Sequence, residues 1–148
     1  MGVTVLPESR PARLSAYIEG KDTALDGPFL PMHVVPREGN PLGVALDAGT
    51  STLAGALIDL GNGSVLARAA ADNPQMGCGE DLISRIVFEE ETPGGLAILR
   101  RLLLQGIEQV ISDLVRSSRV EGEIVEITAA GNTVISHILY GISPAPVR

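Results

Sequence analysis

The residues most capable of chemistry lie at positions 47–52 (DAGTST), directly after a short apolar run. Glycine lets a backbone approach a ligand closely, and hydroxyl side chains donate hydrogen bonds to anionic oxygens. Backbone N–H groups in such a turn can surround phosphate oxygens. We therefore predict a phosphate site formed by Gly49, Thr50, Ser51 and Thr52. Asp47 would hold Mg²⁺ through water molecules, because Mg²⁺ dehydrates reluctantly. The alternative is an ordinary hairpin turn with β-favouring threonines.

A second candidate lies at residues 129–133 (AAGNT), where a predicted strand ends and a helix begins. Open α/β sheets tend to bind ligands at such junctions. Asn132 could orient a water or hydroxyl group for attack on a phosphate without abstracting its proton. We predict Asn132 as a catalytic residue and Gly131 as a ligand contact. The alternative is that Asn132 only caps the helix and Gly131 only makes the turn, although capping and lining a site are compatible.

A third polar block contains Asn73, Gln75 and Arg85, together with Gly77, Gly79, Glu80 and Asp81. Its glycine spacing lacks the further glycine of a dinucleotide fingerprint. We interpret this block as a loop that leads into a charged helix start. Cys78 is interpreted as a passive thiol, and the two histidines are too far apart to form a zinc site.

The elements that must position these residues follow from the hydrophobic pattern. A turn-rich chain with apolar runs predicts a three-strand meander, in which Asn62-Gly63 forms a hairpin turn with both residues at positive φ. Thr92 and Pro93 predict the start of a long amphipathic helix. The predicted strands are 42–46, 53–59, 65–71 and 123–128, and the predicted helices are 80–87, the long helix from 92 and 132–140, which ends at Gly141. Residues 1–40, rich in proline and glycine, are predicted to be a linker or the tail of a preceding module.

The composition excludes several classes of function. A net charge of -7 and an aromatic content of 3% argue against nucleic-acid and anionic-membrane partners. The single cysteine excludes an internal disulfide bond and a four-cysteine iron–sulfur cluster. Without a spanning apolar run or a signal-peptide pattern, we expect a cytoplasmic α/β protein.

Residues 43–52 (GVALDAGTST) resemble the phosphate-1 motif of the superfamily of acetate and sugar kinases, heat-shock chaperones and actin. Three blocks in order resemble the reductive activators of corrinoid proteins more narrowly. They are the phosphate-1 block, residues 73–75 (NPQ) with 79–86 (GEDLISRI), and residues 130–137 (AGNTVISH) leading to 141–144 (GISP). The resemblance covers residues 41–148, and the middle block is its most specific part.

This resemblance implies the first lobe of a ribonuclease-H-like, actin-like ATPase: an antiparallel three-strand meander extended by a parallel strand, with covering helices. It implies that ATP hydrolysis is coupled to reduction of a Co(II) corrinoid to Co(I). The implied partner is a corrinoid protein of a methyltransferase system, and a homodimer is possible. Asp47 would contact Mg²⁺, residues 49–52 would face the β- and γ-phosphates of ATP, and Asn132 would occupy the attack-orienting position.

The chain also departs from this family's pattern. Members are several times longer, carry an N-terminal iron–sulfur domain and have a second lobe that completes the grip on ATP. We therefore expect residues 41–148 to be an incomplete first lobe, with ATP hydrolysis in the full-length protein and little or none in this chain alone. The alternatives are a small-molecule kinase or diol-dehydratase reactivator of the same superfamily, and a non-catalytic interaction domain. Asn132 stands where a kinase would need a carboxylate base, which disfavours the kinase.

Overall fold

The fold is built on a four-stranded mixed sheet, described for residues 40–148 by a computed structural model. The strands β1 to β4 are Pro41–Ala48, Thr52–Asp59, Val65–Asp72 and Glu123–Gly131, and they lie in the order β3-β2-β1-β4. The first three pair antiparallel, whereas β4 pairs with β1 in parallel. The predicted antiparallel three-strand meander with its parallel fourth strand is confirmed. The interpretation of residues 1–39 as a linker or tail lies outside the described residues.

Helices supply the crossover that a parallel strand pair requires. The helices α1 to α3 are Leu82–Glu91, Gly95–Ser118 and Thr133–Tyr140, and short 3-10 helices span Pro74–Cys78 and Ala145–Val147. Both α1 and α2 lie between β3 and β4 in the chain. No helix within residues 40–148 is long and apolar enough to cross a membrane.

The core lies between one face of the sheet and α2. Side chains alternate across a strand, so every second residue of β1 points toward α2. From the sheet, the buried side chains are Leu42, Val44, Leu46, Leu53 and Leu57; from α2, they are Leu99, Leu103, Val110 and Leu114. The helical spacing of three and four residues in the sequence predicts this α2 stripe correctly. Ala45 and Asp47 lie on the opposite face of the sheet and are exposed.

Gly106 lets the middle of α2 approach the sheet closely. A Cβ atom at this position would lie 2.5 Å from Leu53 Cδ1 and 2.7 Å from Pro74 Cδ. The proline ring belongs to the 3-10 helix after β3 and cannot turn away as a flexible side chain could. The glycine therefore sets the depth at which α2 packs over β2 and over the segment that follows β3.

Three local predictions are wrong. Thr92 does not start the long helix but is the C-terminal cap of α1, and α2 begins after Gly94, whose φ is 74°. Only Gly63 of the β2–β3 turn has a positive φ, because the turn is longer than two residues and Asn62 side-chain hydrogen bonds stabilise it. The segment after β3 is a 3-10 helix rather than a loop. The helix end at Gly141, with φ 72°, is confirmed.

We predict that Gly106→Val lowers the free energy of unfolding by about 2 kcal/mol or more, because the added carbons overpack the contact with Pro74 and Leu53. Gln105→Val is the matched control, since Gln105 is exposed at the neighbouring position of α2. The control should change stability by less than about 1 kcal/mol, which reflects helix propensity alone. Urea denaturation measures both variants, and equal losses would contradict the packing argument.

Candidate functional site

The segment between β1 and β2 is a tight turn at the end of the sheet. Ala48 pairs with Leu53 in the strand register, and the Gly49 N–H donates to Thr52 O over 2.9 Å. A Cβ atom on Gly49 would lie 2.7 Å from Thr52 O, so only glycine permits this closure without a shift of the backbone. Thr50 and Ser51 form the tip. The turn predicted from the sequence is therefore present, with its hydroxyl residues at the open end of the sheet.

A buried polar network binds the carbonyl groups of this turn from behind. Asn73 and Arg85 are both 0% exposed. The Asn73 side-chain amide donates to Gly49 O over 2.9 Å, and its backbone N–H donates to Ser51 O over 2.8 Å. Between these two bonds, Arg85 Nη2 donates to Thr50 O. Three consecutive carbonyl groups of the turn are thereby engaged on one side.

Gln75, also 0% exposed, connects this network to the long helix. Its Oε1 accepts from Arg85 Nη1 over 3.0 Å, and its Nε2 donates to Leu99 O in α2 over 3.0 Å. Arg85 Nε donates to Gly79 O over 2.9 Å. Within residues 40–148, no buried side-chain nitrogen or oxygen lacks a partner. The network is fully satisfied, and such networks hold their members in one arrangement.

Because the carbonyl groups of the turn are held, the trans geometry of the peptide bonds also fixes the direction of its N–H groups. Every described peptide bond is trans, so each N–H points opposite to the carbonyl of the preceding residue. With the carbonyls of residues 49–51 held by the network, the N–H groups of residues 50–52 point away from it. Neither the Thr50 nor the Ser51 N–H donates to another described residue. Successive free N–H groups of this kind form a concave site for an anion.

Asp47 and Asn132 approach the same end of the sheet from β1 and β4. The parallel register pairs Asp47 with Ala130 and Ala48 with Gly131. Asn132 caps α3, since its Oδ1 accepts from the Ile135 N–H over 3.0 Å, and its Nδ2 lies 3.4 Å from Thr50 Oγ1. The two segments proposed from the sequence as separate candidates therefore meet at Thr50.

The remaining predicted site residues are also at this end. Asp47, Ser51 and Thr52 are exposed. Gly131 is tightly placed, because a Cβ atom there would lie 3.1 Å from Ala48 O. Within residues 40–148 there is no group of three or more histidine, cysteine or acidic side chains that could enclose a metal ion.

The charge beneath the turn is positive. Burial lowers the pKa of the Arg85 guanidinium, while Cys78 and Asp81 act in the opposite direction. Arginine stays protonated in proteins because its ordinary pKa lies far above neutrality. No described carboxylate lies within ion-pair distance of Arg85. Asp81, the N-cap of α1, accepts from the Ser84 N–H over 2.7 Å, which lowers the pKa of Asp81.

The interpretation of the third polar block as a loop with a charged helix start is wrong for Asn73, Gln75 and Arg85. The sequence contains one signal that could have revealed the network: Arg85 follows Leu82 by three residues and precedes Phe88 by three, and both of these apolar residues pack against the core. These spacings place Arg85 on the apolar face of α1. A charged residue on such a face is almost never buried unless it has partners.

A groove of about 550 Å³ lies elsewhere, along α2 and beside Gly141. Its lining includes Arg100, Arg101 and Leu104, and none of the predicted site residues. The groove therefore does not enlarge the site at the end of the sheet.

We predict that Asn73→Ala lowers the free energy of unfolding by about 2–3 kcal/mol, because it leaves Gly49 O and the Gln75 N–H without partners in a buried place. Asn62→Ala is the control, since Asn62 makes comparable side-chain bonds in an exposed turn. Water replaces those bonds, so the control should lose less than about 1 kcal/mol. Chemical denaturation of both variants checks this, and a smaller loss at Asn73 than at Asn62 would refute it.

Comparison with known proteins identifies relatives of this chain. The model of the family described as the RACo middle region matches residues 42–148. The corrinoid activation enzyme RamQ of Eubacterium limosum is 26% identical over 103 residues, which cover 69% of this chain and 17% of RamQ. A solved structure of a reductive activator for a corrinoid, iron–sulfur protein has a TM-score of 0.71 and 33% sequence identity, and the match covers 79% of this chain and 19% of that one.

The chain thus spans less than a fifth of the length of either relative. Because the family model extends over residues 42–148, most of the sequence, the chain belongs to the RACo middle region family.

Proposed function

We propose that this chain is the nucleotide-phosphate-binding lobe of an ATPase that drives reductive reactivation of corrinoid proteins, from Co(II) to Co(I). The observation that carries the proposal is the direction of the turn's N–H groups. Three consecutive carbonyls are held from behind by Asn73 and Arg85, and the Thr50 and Ser51 N–H groups have no acceptor among the described residues. A polyanion such as a nucleotide phosphate chain suits this arrangement.

Each residue at this end of the sheet has a proposed part in phosphate binding. Gly49 permits the tight closure, and the N–H and hydroxyl groups of Thr50, Ser51 and Thr52 donate to the β- and γ-phosphates. Asp47, exposed beside the turn, would hold Mg²⁺ through water. Gly131, where a Cβ atom would lie 3.1 Å from Ala48 O, would contact the ligand through its backbone. The Asn132 amide, 3.4 Å from Thr50 Oγ1, would orient the attacking water.

Bound ATP with Mg²⁺ would supply the phosphoanhydride bond whose hydrolysis is coupled to cobalt reduction. The relatives support the corrinoid part of the proposal, because one is a corrinoid activation enzyme and the other a reductive activator for a corrinoid, iron–sulfur protein. Both are more than five times as long as the matched segment. We propose that, where they are present in the whole protein, a second lobe completes the ATP-binding site and an iron–sulfur domain delivers the electron.

Two other functions make different predictions. A small-molecule kinase or diol-dehydratase reactivator of the same superfamily would bind ATP equally but would not reduce a corrinoid. A non-catalytic interaction domain would keep the fold and not bind ATP.

We predict that Asp47→Asn weakens the binding of Mg-ATP about tenfold or more, because a carboxylate that holds hydrated Mg²⁺ is lost. When a chelator removes Mg²⁺, the ATP affinity of Asp47→Asn should differ little from that of the parent chain. Glu121→Gln, which removes the same charge from the exposed loop between α2 and β4, should leave both affinities unchanged. Isothermal titration calorimetry measures all three proteins. An unchanged Mg-ATP affinity in Asp47→Asn would remove Asp47 from the site, and absence of ATP binding in the whole protein that carries this segment would favour the interaction domain.

The corrinoid assignment is tested in the whole protein that carries this segment. With a Co(II) corrinoid protein and a low-potential one-electron donor, we expect ATP-dependent conversion of Co(II) to Co(I). Visible absorbance spectroscopy measures this conversion. Asn132→Ala should slow the conversion about 100-fold, because the attacking water loses its orientation. ATP hydrolysis without any effect on the cobalt would favour the kinase or diol-dehydratase class.

A further inference from the structure

The charge of Arg85 is unusual for its surroundings. The side chain is 0% exposed, and the three acceptors of its guanidinium are the Gly79 and Thr50 carbonyls and the Gln75 amide oxygen. All three acceptors are neutral. No described carboxylate lies close enough to form an ion pair with Arg85. Asp81 acts on Arg85 without an ion-pair contact, and a buried cation without such a contact is costly.

A structural role alone does not require this cation. Neutral donors hold the two neighbouring carbonyls, since Asn73 engages Gly49 O and Ser51 O through an amide and a backbone N–H. Thr50 O alone receives a charged donor. Charge-assisted hydrogen bonds are about twice as strong as neutral ones. The strongest restraint in the turn therefore acts on the Thr50–Ser51 peptide, at its tip.

The Thr50–Ser51 peptide places the Ser51 N–H on the side opposite to Arg85. The guanidinium lies on one side of this peptide unit and the proposed phosphate site on the other. The peptide dipole lies between them, with its negative end on Arg85 and its positive end toward the ligand. A fixed dipole that points at a bound negative charge stabilises that charge without reorganisation.

We propose that Arg85 is a positioning residue for the phosphate site: its guanidinium holds the Thr50–Ser51 peptide with the Ser51 N–H toward the ligand, so that the bound phosphate lies on the far side of that peptide from the positive charge. This inference rests on the proposed function. It adds a residue that does not touch the ligand and acts through one peptide unit. Gln75 orients Arg85 in turn, because its Oε1 accepts from Nη1 and its Nε2 is fixed on Leu99 O.

The test uses sodium tripolyphosphate with MgCl₂ as the probe, titrated into the full chain labelled with ¹⁵N. In the parent chain, the Thr50 and Ser51 amide resonances should shift on binding. Arg85→Gln removes the charge and keeps an amide donor, and it should weaken binding about tenfold or more. Arg85→Lys keeps the charge but cannot present a planar fork to three acceptors, so a smaller loss with an altered Ser51 shift is expected.

Arg100→Gln is the matched control, because Arg100 also donates through Nε to a backbone carbonyl, Leu139 O, but is exposed and outside the turn. Its tripolyphosphate affinity should stay within about twofold of the parent chain, because exposed charges contribute little. If Arg85→Gln is folded by circular dichroism and binds as tightly as the parent chain, the role proposed for Arg85 is overturned and the phosphate site itself survives. If the parent chain does not bind tripolyphosphate, the proposed function fails and this inference fails with it.

A measurement on the parent chain covers the case in which Arg85→Gln does not fold. The Arg85 Nε resonance should shift when tripolyphosphate saturates the site, while the Arg100 Nε resonance should not. A purely structural arginine would leave its resonance unmoved as the Thr50 and Ser51 amides respond. That pattern would overturn the proposal without any substitution.

Discussion

Three carbonyl groups in a row, bound on one side by buried donors, are the constraint on which the candidate site depends. A tight turn between two strands could satisfy its carbonyls with water and leave its N–H groups in many directions. Here Asn73 and Arg85 take those carbonyls, and trans peptide geometry then settles where the N–H groups point. The sheet, the 3-10 helix after β3 and the first helix all contribute to this single arrangement.

The constraint is assembled from segments that are distant in sequence. Arg85 reaches Thr50, 35 positions earlier, and Asn132 reaches the same residue from 82 positions later. A meander alone would bring together the turn and Asn73, which directly follows β3, but not Arg85 or Asn132. The parallel strand β4 is what carries the α3 cap to the turn, and the close packing allowed by Gly106 keeps the 3-10 helix against α2.

The sequence predicts the elements well where one local pattern decides them. The three- and four-residue spacing of leucines identifies the buried stripe of α2, and Gly141 ends α3 in the left-handed conformation as its type suggests. The start of α2 is wrong, because Thr92 satisfies the rules for an N-cap and is used instead to end α1. Local rules cannot distinguish the two uses when one helix follows another so closely.

The exposed residues of the candidate site could be predicted from the sequence, whereas the buried residues that support them could not. Residues 47–52 and Asn132 carry recognisable chemical types at the ends of strands, whereas Asn73, Gln75 and Arg85 resemble any polar loop until the tertiary structure buries them. Arg85 shows the difficulty most clearly, since a charged residue is usually assigned to a solvated helix face. Only its spacing of three residues from both Leu82 and Phe88 contradicts that assignment.

The bond from Gln75 Nε2 to Leu99 O attaches the network to a fixed point along α2. The leucines of α2 and the close contact at Gly106 resist a shift of the helix along the sheet, and the freedom that remains is that of the apolar side chains to adjust their rotamers. The buried amide adds to this resistance, since any translation of α2 would strand a donor away from water. The conformation of the turn and the axial position of α2 are therefore held by one connected set of buried hydrogen bonds, which runs from Leu99 O through Gln75 and Arg85 to Thr50 O.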